Sequence, residues 1–121
     1  MKLPIVIVEG RDVGIFRTVG DAERKLEAID VKKQIFKGYD AEGRRLHLST
    51  YEDLRHWLFG MVCQSIELVA IESESEPTAQ DELKEILTRY LADIGRPLEN
   101  SHNKSLSELI QLAVSTSGYE K

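Results

Sequence analysis

Residues 5–8 read Ile-Val-Ile-Val, four β-branched side chains in succession. Branching at Cβ suits a pleated strand and costs rotamer freedom in a helix. A short run with no polar position to turn toward water predicts a buried strand, ended by Glu9-Gly10. A chain of 121 residues holds one domain and has to supply the partners of that strand itself.

The partners are sought downstream. Thr18 is placed to cap a short helix through the amide of Gly20 or Asp21, with Ala22, Leu26 and Ile29 as its apolar stripe and Glu23, Arg24, Lys25 and Glu27 outside. Residues 33–39 and 44–49 read as a hairpin. Asp40 opens its turn, and Gly43 takes the left-handed conformation that closes a type I turn with a bulge. Leu46 and Leu48 then face inward, and Arg45 and His47 outward. The spacing of Leu54, Trp57, Leu58 and Met61 predicts a short helix over 51–59 ending near Gly60, followed by a strand from Cys63 to Ile71. The strongest pattern starts at Thr78, as cap, with Asp81 in the first turn. It runs through Leu83, Ile86, Leu87, Tyr90, Leu91 and Ile94 to Gly95 and Pro97. Ser105-Leu106-Ser107-Glu108 is a capping box that opens a last helix over about 105–115. Its apolar face is Leu106, Leu109, Ile110, Ala113 and Val114, and a flexible tail follows over 116–121. The order β-α-β-β-(α)-β-α-α predicts a single α+β domain over 1–121. It has a small antiparallel sheet of about four strands with two to four helices packed mainly on one face.

The net charge of −5 has an uneven origin. Residues 1–66 are nearly neutral, with 11 basic and 10 acidic side chains, and residues 86–121 carry four of each. Residues 67–85 hold seven acids against one base, Lys84. The whole excess therefore sits in one stretch, whose centre, Glu72-Ser73-Glu74-Ser75-Glu76-Pro77, reads as an exposed loop.

Catalytic and metal signatures are sparse. His47, His56 and His102 do not pair with one another or with Cys63 at a ligand spacing. Cys63 lies in the apolar run after Met61-Val62 and reads as a small buried hydrophobe rather than a thiolate. No Gly-x-Ser-x-Gly elbow is present. Gly10-Arg11-Asp12-Val13-Gly14 lacks both the dinucleotide and the P-loop spacing and leads into Ile15-Phe16-Arg17, not a good helix. The Glu72/Glu74/Glu76 alternation lacks the EF-hand pattern, and a wet loop does not raise a carboxyl pKa for acid catalysis. No cofactor, metal or enzyme activity is expected. The basic edge of Lys32, Lys33, Lys37, Arg44 and Arg45 with Phe36 and Tyr39 resembles a single-strand binder, but Asp40, Glu42 and the net charge oppose nucleic acid. The apolar run behind Met1-Lys2-Leu3-Pro4 is too short for a signal peptide or a membrane span, and a lone cysteine fits a reducing compartment. The expected location is the cytoplasm.

Protein binding is what remains. A fixed acidic segment steers a basic partner. Glu72, Glu74, Glu76, Asp81, Glu82 and Glu85 are the candidate contact residues. Tyr51, Trp57 and Phe59 are candidate aromatic anchors, with Trp57 better read as core.

A group of short motifs adds to this. They are Ile7-Val8-Glu9-Gly10-Arg11-Asp12-Val13 with Phe16, Asp21-Ala22-Glu23, Leu26-Glu27, Ile29-Asp30-Val31, Tyr39-Asp40-Ala41-Glu42-Gly43-Arg44, Glu76-Pro77-Thr78 and Asp81-Glu82-Leu83. Over residues 5–94 the chain resembles small bacterial immunity proteins of polymorphic toxin systems. The resemblance implies a protein that binds a cognate toxin domain and occludes its active site, and it implies no catalytic residue. The alternative from another class is a small regulatory or adaptor protein acting through its sheet edge or last helix.

Overall fold

The structure is a computed structural model that describes residues 1–58, 61–96 and 104–120; within it, the side chains of residues 53–67 lie outside what is described. Among the described residues the strands are β1 (Ile5–Glu9), β2 (Asp12–Phe16), β3 (Phe36–Tyr39), β4 (Arg45–Leu58) and β5 (Met61–Ser73). The helices are α1 (Val19–Lys25), α2 (Ala28–Lys32), α3 (Gln80–Asp93) and α4 (Leu106–Ser117). One antiparallel sheet has the order β2-β1-β3-β4-β5. The fold is α+β.

The Ile-Val-Ile-Val strand is the reason for the architecture. β1 pairs with β2 on one side and β3 on the other, and Ile5, Val6, Ile7 and Val8 are all at most 4% exposed. Successive side chains point to opposite faces, so burying all four requires cover on both. Val6 and Val8 pack with Val13, Ile15 and Tyr39 against Leu83, Leu87 and Leu91 of α3 and Leu109, Ile110 and Ala113 of α4. Ile5 and Ile7 pack with Phe16, Leu46, Val69 and Ile71 against Ala22 of α1 and Val31 of α2. The expectation of helices mainly on one face is therefore corrected: two helices cover each face, over five strands rather than about four. Each fully buried leucine of α3 or α4 contributes on the order of 2 kcal/mol through apolar burial.

Three local readings also change. Gly10-Arg11 turns β1 directly into β2, with Glu9 opposite Asp12, which adds a strand that the predicted order lacked. The helix begun by Thr18, whose hydroxyl accepts from the Asp21 amide at 3.1 Å, stops at Leu26 in an extended conformation. A second helix then brings Val31 down on the core and leaves Ile29 60% exposed. Residues 51–58 are strand, not helix: β4 runs alongside β5 from Leu46↔Ser73 to Leu58↔Met61. The helical spacing of Leu54, Trp57 and Leu58 loses to a cross-strand partner of matching length. β3 pairs only with Arg45 and Leu46, so beyond that point β4 and β5 form a two-stranded ribbon.

The predicted turn at residues 40–43 forms as read, with the Gly43 amide donating to the Asp40 carbonyl at 3.2 Å and the Asp40 amide to the Arg44 carbonyl at 2.9 Å. The Asp40 side chain is fully buried. Oδ1 accepts from the amides of Glu42 and Arg44, each at 2.9 Å. Oδ2 accepts from the Lys2 amide at 3.1 Å and from Arg44 Nη1 at 3.2 Å. Burial works to raise the Asp40 pKa. The amides of Arg44, Lys2 and Glu42 and the Arg44 guanidinium overcome it and hold the carboxyl below its ordinary value. Gly43 sits at φ 87, and its carbonyl accepts from the Ala79 amide at 3.0 Å. Ala79, not Thr78, is therefore the residue before α3, and no side chain caps that end.

The far end of α3 closes as a Schellman motif. The Arg96 amide donates to the Leu91 carbonyl at 2.7 Å and the Gly95 amide to the Ala92 carbonyl at 3.2 Å, with Gly95 left-handed at φ 86. Arg11 in the β1–β2 turn forks onto Asp93 at 3.0 and 2.8 Å, fixing that end of α3 over the sheet. Ser105 caps α4 by accepting from the Glu108 amide at 3.2 Å, and Leu106, Leu109, Ile110 and Ala113 are buried as the pattern predicts. Beyond α4, the Glu120 amide donates to the Ile15 carbonyl at 2.7 Å, and Arg17 lies 4.8 Å over the Tyr119 ring.

Two outcomes test the turn. Gly43→Ala combines a left-handed backbone with a Cβ placed 2.6–2.9 Å from Gln80 atoms, backbone included. It is expected to cost about 2 kcal/mol or more in urea unfolding. Asp40→Asn is expected to destabilise by about 3 kcal/mol at neutral pH. Because the folded pKa is depressed, the wild type holds Asp40's contribution above pH ~4 and loses it as pH falls through the folded value. The stability gap between wild type and Asp40→Asn should therefore narrow only below about pH 4.

Candidate protein-binding face

The acidic stretch begins where the ribbon re-enters the body of the protein. Glu72 lies near the end of β5, opposite His47 of β4. The chain then leaves the sheet but stays tied to it. The Glu74 amide donates to the Arg45 carbonyl at 3.0 Å, Arg44 Nε donates to the Ser75 carbonyl at 3.3 Å, and the Thr78 amide donates to the Glu76 carbonyl at 3.0 Å. With Ala79 held by Gly43, residues 74–79 form a connection anchored at both ends to the Asp40 turn.

Glu72, Glu74 and Glu76 are exposed along this connection, and Asp81 and Glu85 are exposed one turn apart on α3. None of the five makes an ion pair among the described residues. The stretch thus presents five solvated carboxylates on a backbone held in place by main-chain bonds. Asp81 also lies in the uncapped first turn of α3, where its charge favours the helix dipole.

Glu82 is different. Its Oε2 accepts from Arg45 Nη2 at 3.0 Å, and it also takes the Tyr39 hydroxyl. Burial first, and then the Glu82 charge and hydrogen bond, push the Tyr39 pKa up to about 12 against a weaker opposing effect of Arg45. Glu82 thus carries an exposed ion pair that joins α3 to the start of β4 and differs from the five carboxylates that have no such partner among the described residues.

Reading the sequence alone also misplaced Glu23. It lies on α1, assigned to the outer face, yet its carboxylate accepts from the Ile71 amide at 3.1 Å on the free side of β5. Nothing in local spacing signals this, because the partners are 48 residues apart. Tyr51 on β4 is 51% exposed, as an anchor requires. His56, Trp57 and Cys63 have side chains outside the described part, and Phe59 and His102 lie outside the described residues. Among the described residues no three His, Cys, Asp or Glu converge as metal ligands, and no helix is long and apolar enough to cross a membrane.

Comparison with protein-family models, with curated proteins and with solved structures finds no match.

The contact of Glu82 with Tyr39 has a spectroscopic consequence. Glu82→Gln removes the charge that opposes tyrosinate while leaving Tyr39 buried. Ultraviolet titration should show the last tyrosine step moving down from about 12 while staying above the ordinary 10.0. With the folded pKa raised, Tyr39 stabilises the wild type fully below pH 10 and loses that contribution as pH rises toward 12, so the variant should lose less stability over that interval.

Proposed function

We propose that the chain is an immunity protein that binds a cognate antibacterial toxin domain in the cytoplasm and occludes its active site. The observation that carries the reading is the set of exposed, internally unpaired carboxylates Glu72, Glu74, Glu76, Asp81 and Glu85 on an anchored connection. A loop that only conferred solubility would need no such anchoring. A rigid acidic surface complements the basic substrate-binding surface that a nuclease-type toxin carries, and preorganisation limits the entropy lost on docking. The motif resemblance over residues 5–94 points to the same class of protein.

A second reading, a non-catalytic adaptor, is favoured by the two-stranded β4–β5 ribbon. A two-stranded ribbon gains less from its own packing than a wider sheet and is suited to pairing with another protein.

The deciding experiment is to sequence the neighbouring genes for a large secreted protein with a variable C-terminal domain and to co-express that domain with this chain; absence of such a gene counts against the immunity reading. Rescue of growth and a one-to-one complex are expected. A toxin that kills equally with and without the chain defeats the immunity reading and leaves the adaptor. Within the complex, reversing Glu72, Glu74 and Glu76 to Lys should slow association by about tenfold at low salt and flatten its dependence on ionic strength. An unchanged association rate would remove the acidic face from the interface.

A further inference from the structure

We propose that the groove between α1–α2 and the root of the β4–β5 ribbon is a second docking surface, taking an extended basic segment of a protein partner. This rests on the reading above only in that the partner is a protein. The groove has a volume of about 710 Å³ and is lined by Leu26, Leu68 and Val69 together with Glu23, Glu27 and Tyr51.

Charge complementarity selects the occupant. Glu27 is exposed and makes no ion pair among the described residues, and Glu23 keeps one carboxylate oxygen beyond the one that holds the Ile71 amide. Arg24 also borders the groove, but its guanidinium is engaged by Asp21. The balance is negative around an apolar lining, which suits a segment that mixes Lys or Arg with apolar residues. Tyr51, 51% exposed, also borders the groove and is available to such a segment.

The sheet edge selects the conformation. β5 is the last strand, and the Glu74 amide bonds inward to β4 while the Ile71 amide points outward to Glu23. Antiparallel alternation therefore turns the backbone of Val69 toward the same open side, and Val69 lines the groove. An added strand can pair from Val69 toward the ribbon, and Glu23 stops it at Ile71, which sets its register. Alternate side chains of an extended segment then meet the apolar lining and the carboxylates in turn.

The test is fluorescence polarisation with a labelled peptide of alternating lysine and valine, and a glutamate–valine peptide as control. The basic peptide should bind the wild type and the acidic one should not. Glu27→Lys and Tyr51→Ser, each with unchanged circular dichroism, should weaken binding by about tenfold. The Val69 amide should shift in the NMR spectrum on titration. The variant with Glu72, Glu74 and Glu76 reversed to Lys should bind the peptide within about twofold of wild type. Absence of binding, or loss confined to that acidic-loop variant, overturns the groove while leaving the acidic face intact as a toxin contact. Normal toxin association by the acidic-loop variant, alongside peptide loss in the groove variants, does the reverse. Self-association that Tyr51→Ser abolishes would seat a second copy in the groove and also overturn the proposal.

Discussion

The buried carboxylate of Asp40 is the interaction on which the rest of the structure depends. A charge taken out of water costs several kcal/mol unless its lone pairs are filled. Here three backbone amides and one guanidinium fill them. Those donors come from the segment before β1, from the β3–β4 turn and from the first residue after it, so one side chain sets the relative position of all three. The turn it shapes presents the Gly43 carbonyl to Ala79, and that bond decides where α3 starts. The acidic connection between β5 and α3 is held in place as a consequence of the same carboxylate.

The second organising constraint is that β1 is buried on both faces. Two helix pairs, α1–α2 and α3–α4, cover opposite faces of the sheet, and its two edges are treated differently. Along β2 the tail lays the Glu120 amide on the Ile15 carbonyl. Along β5 a single carboxylate, Glu23, takes the Ile71 amide. An edge strand with open backbone groups is a template for pairing. On this molecule the β5 edge lies beside a negatively charged groove and continues into the ribbon. The candidate contact surfaces therefore gather at the β5 end of the sheet, away from the tail.

How much was legible depended on the range of the forces involved. Turn chemistry and capping are local, so Asp40-Ala41-Glu42-Gly43, the Thr18 cap, the Ser105 capping box, Leu83, Leu87 and Leu91 of α3 and Leu106, Leu109, Ile110 and Ala113 of α4 were read correctly from spacing alone, while Thr78 does not cap α3 and Ile94 at the end of its stripe is exposed. Strand or helix between Tyr51 and Leu58 was misread because Leu54, Trp57 and Leu58 fit a helical period as well as a strand. Only the partner strand from Met61 to Ser73 decides between them. The two-sided burial of Ile5–Val8 was visible as an unbroken apolar run, but its consequence for helix placement was not drawn. Of the six acids singled out, Glu82 alone proved to be internally bonded, because Arg45 and Tyr39 reach it from 37 and 43 positions away in the chain.

The chain by itself determined the α+β class, the origin of its net charge between Glu67 and Glu85, and where the Asp40–Gly43 turn and the helix starts at Thr18 and Ser105 fall. These follow from residue type and short-range hydrogen bonding, which need no distant partner. Only the tertiary structure decided which carboxylates are available. Asp40 is consumed by amides and Glu82 by Arg45 and Tyr39, Glu23 gives one oxygen to a strand edge and keeps the other, and Glu72, Glu74, Glu76, Asp81 and Glu85 stay in water. The physical reason is that a charge is spent or spared by what folding brings within about 3 Å of it, and that neighbour is seldom near in sequence.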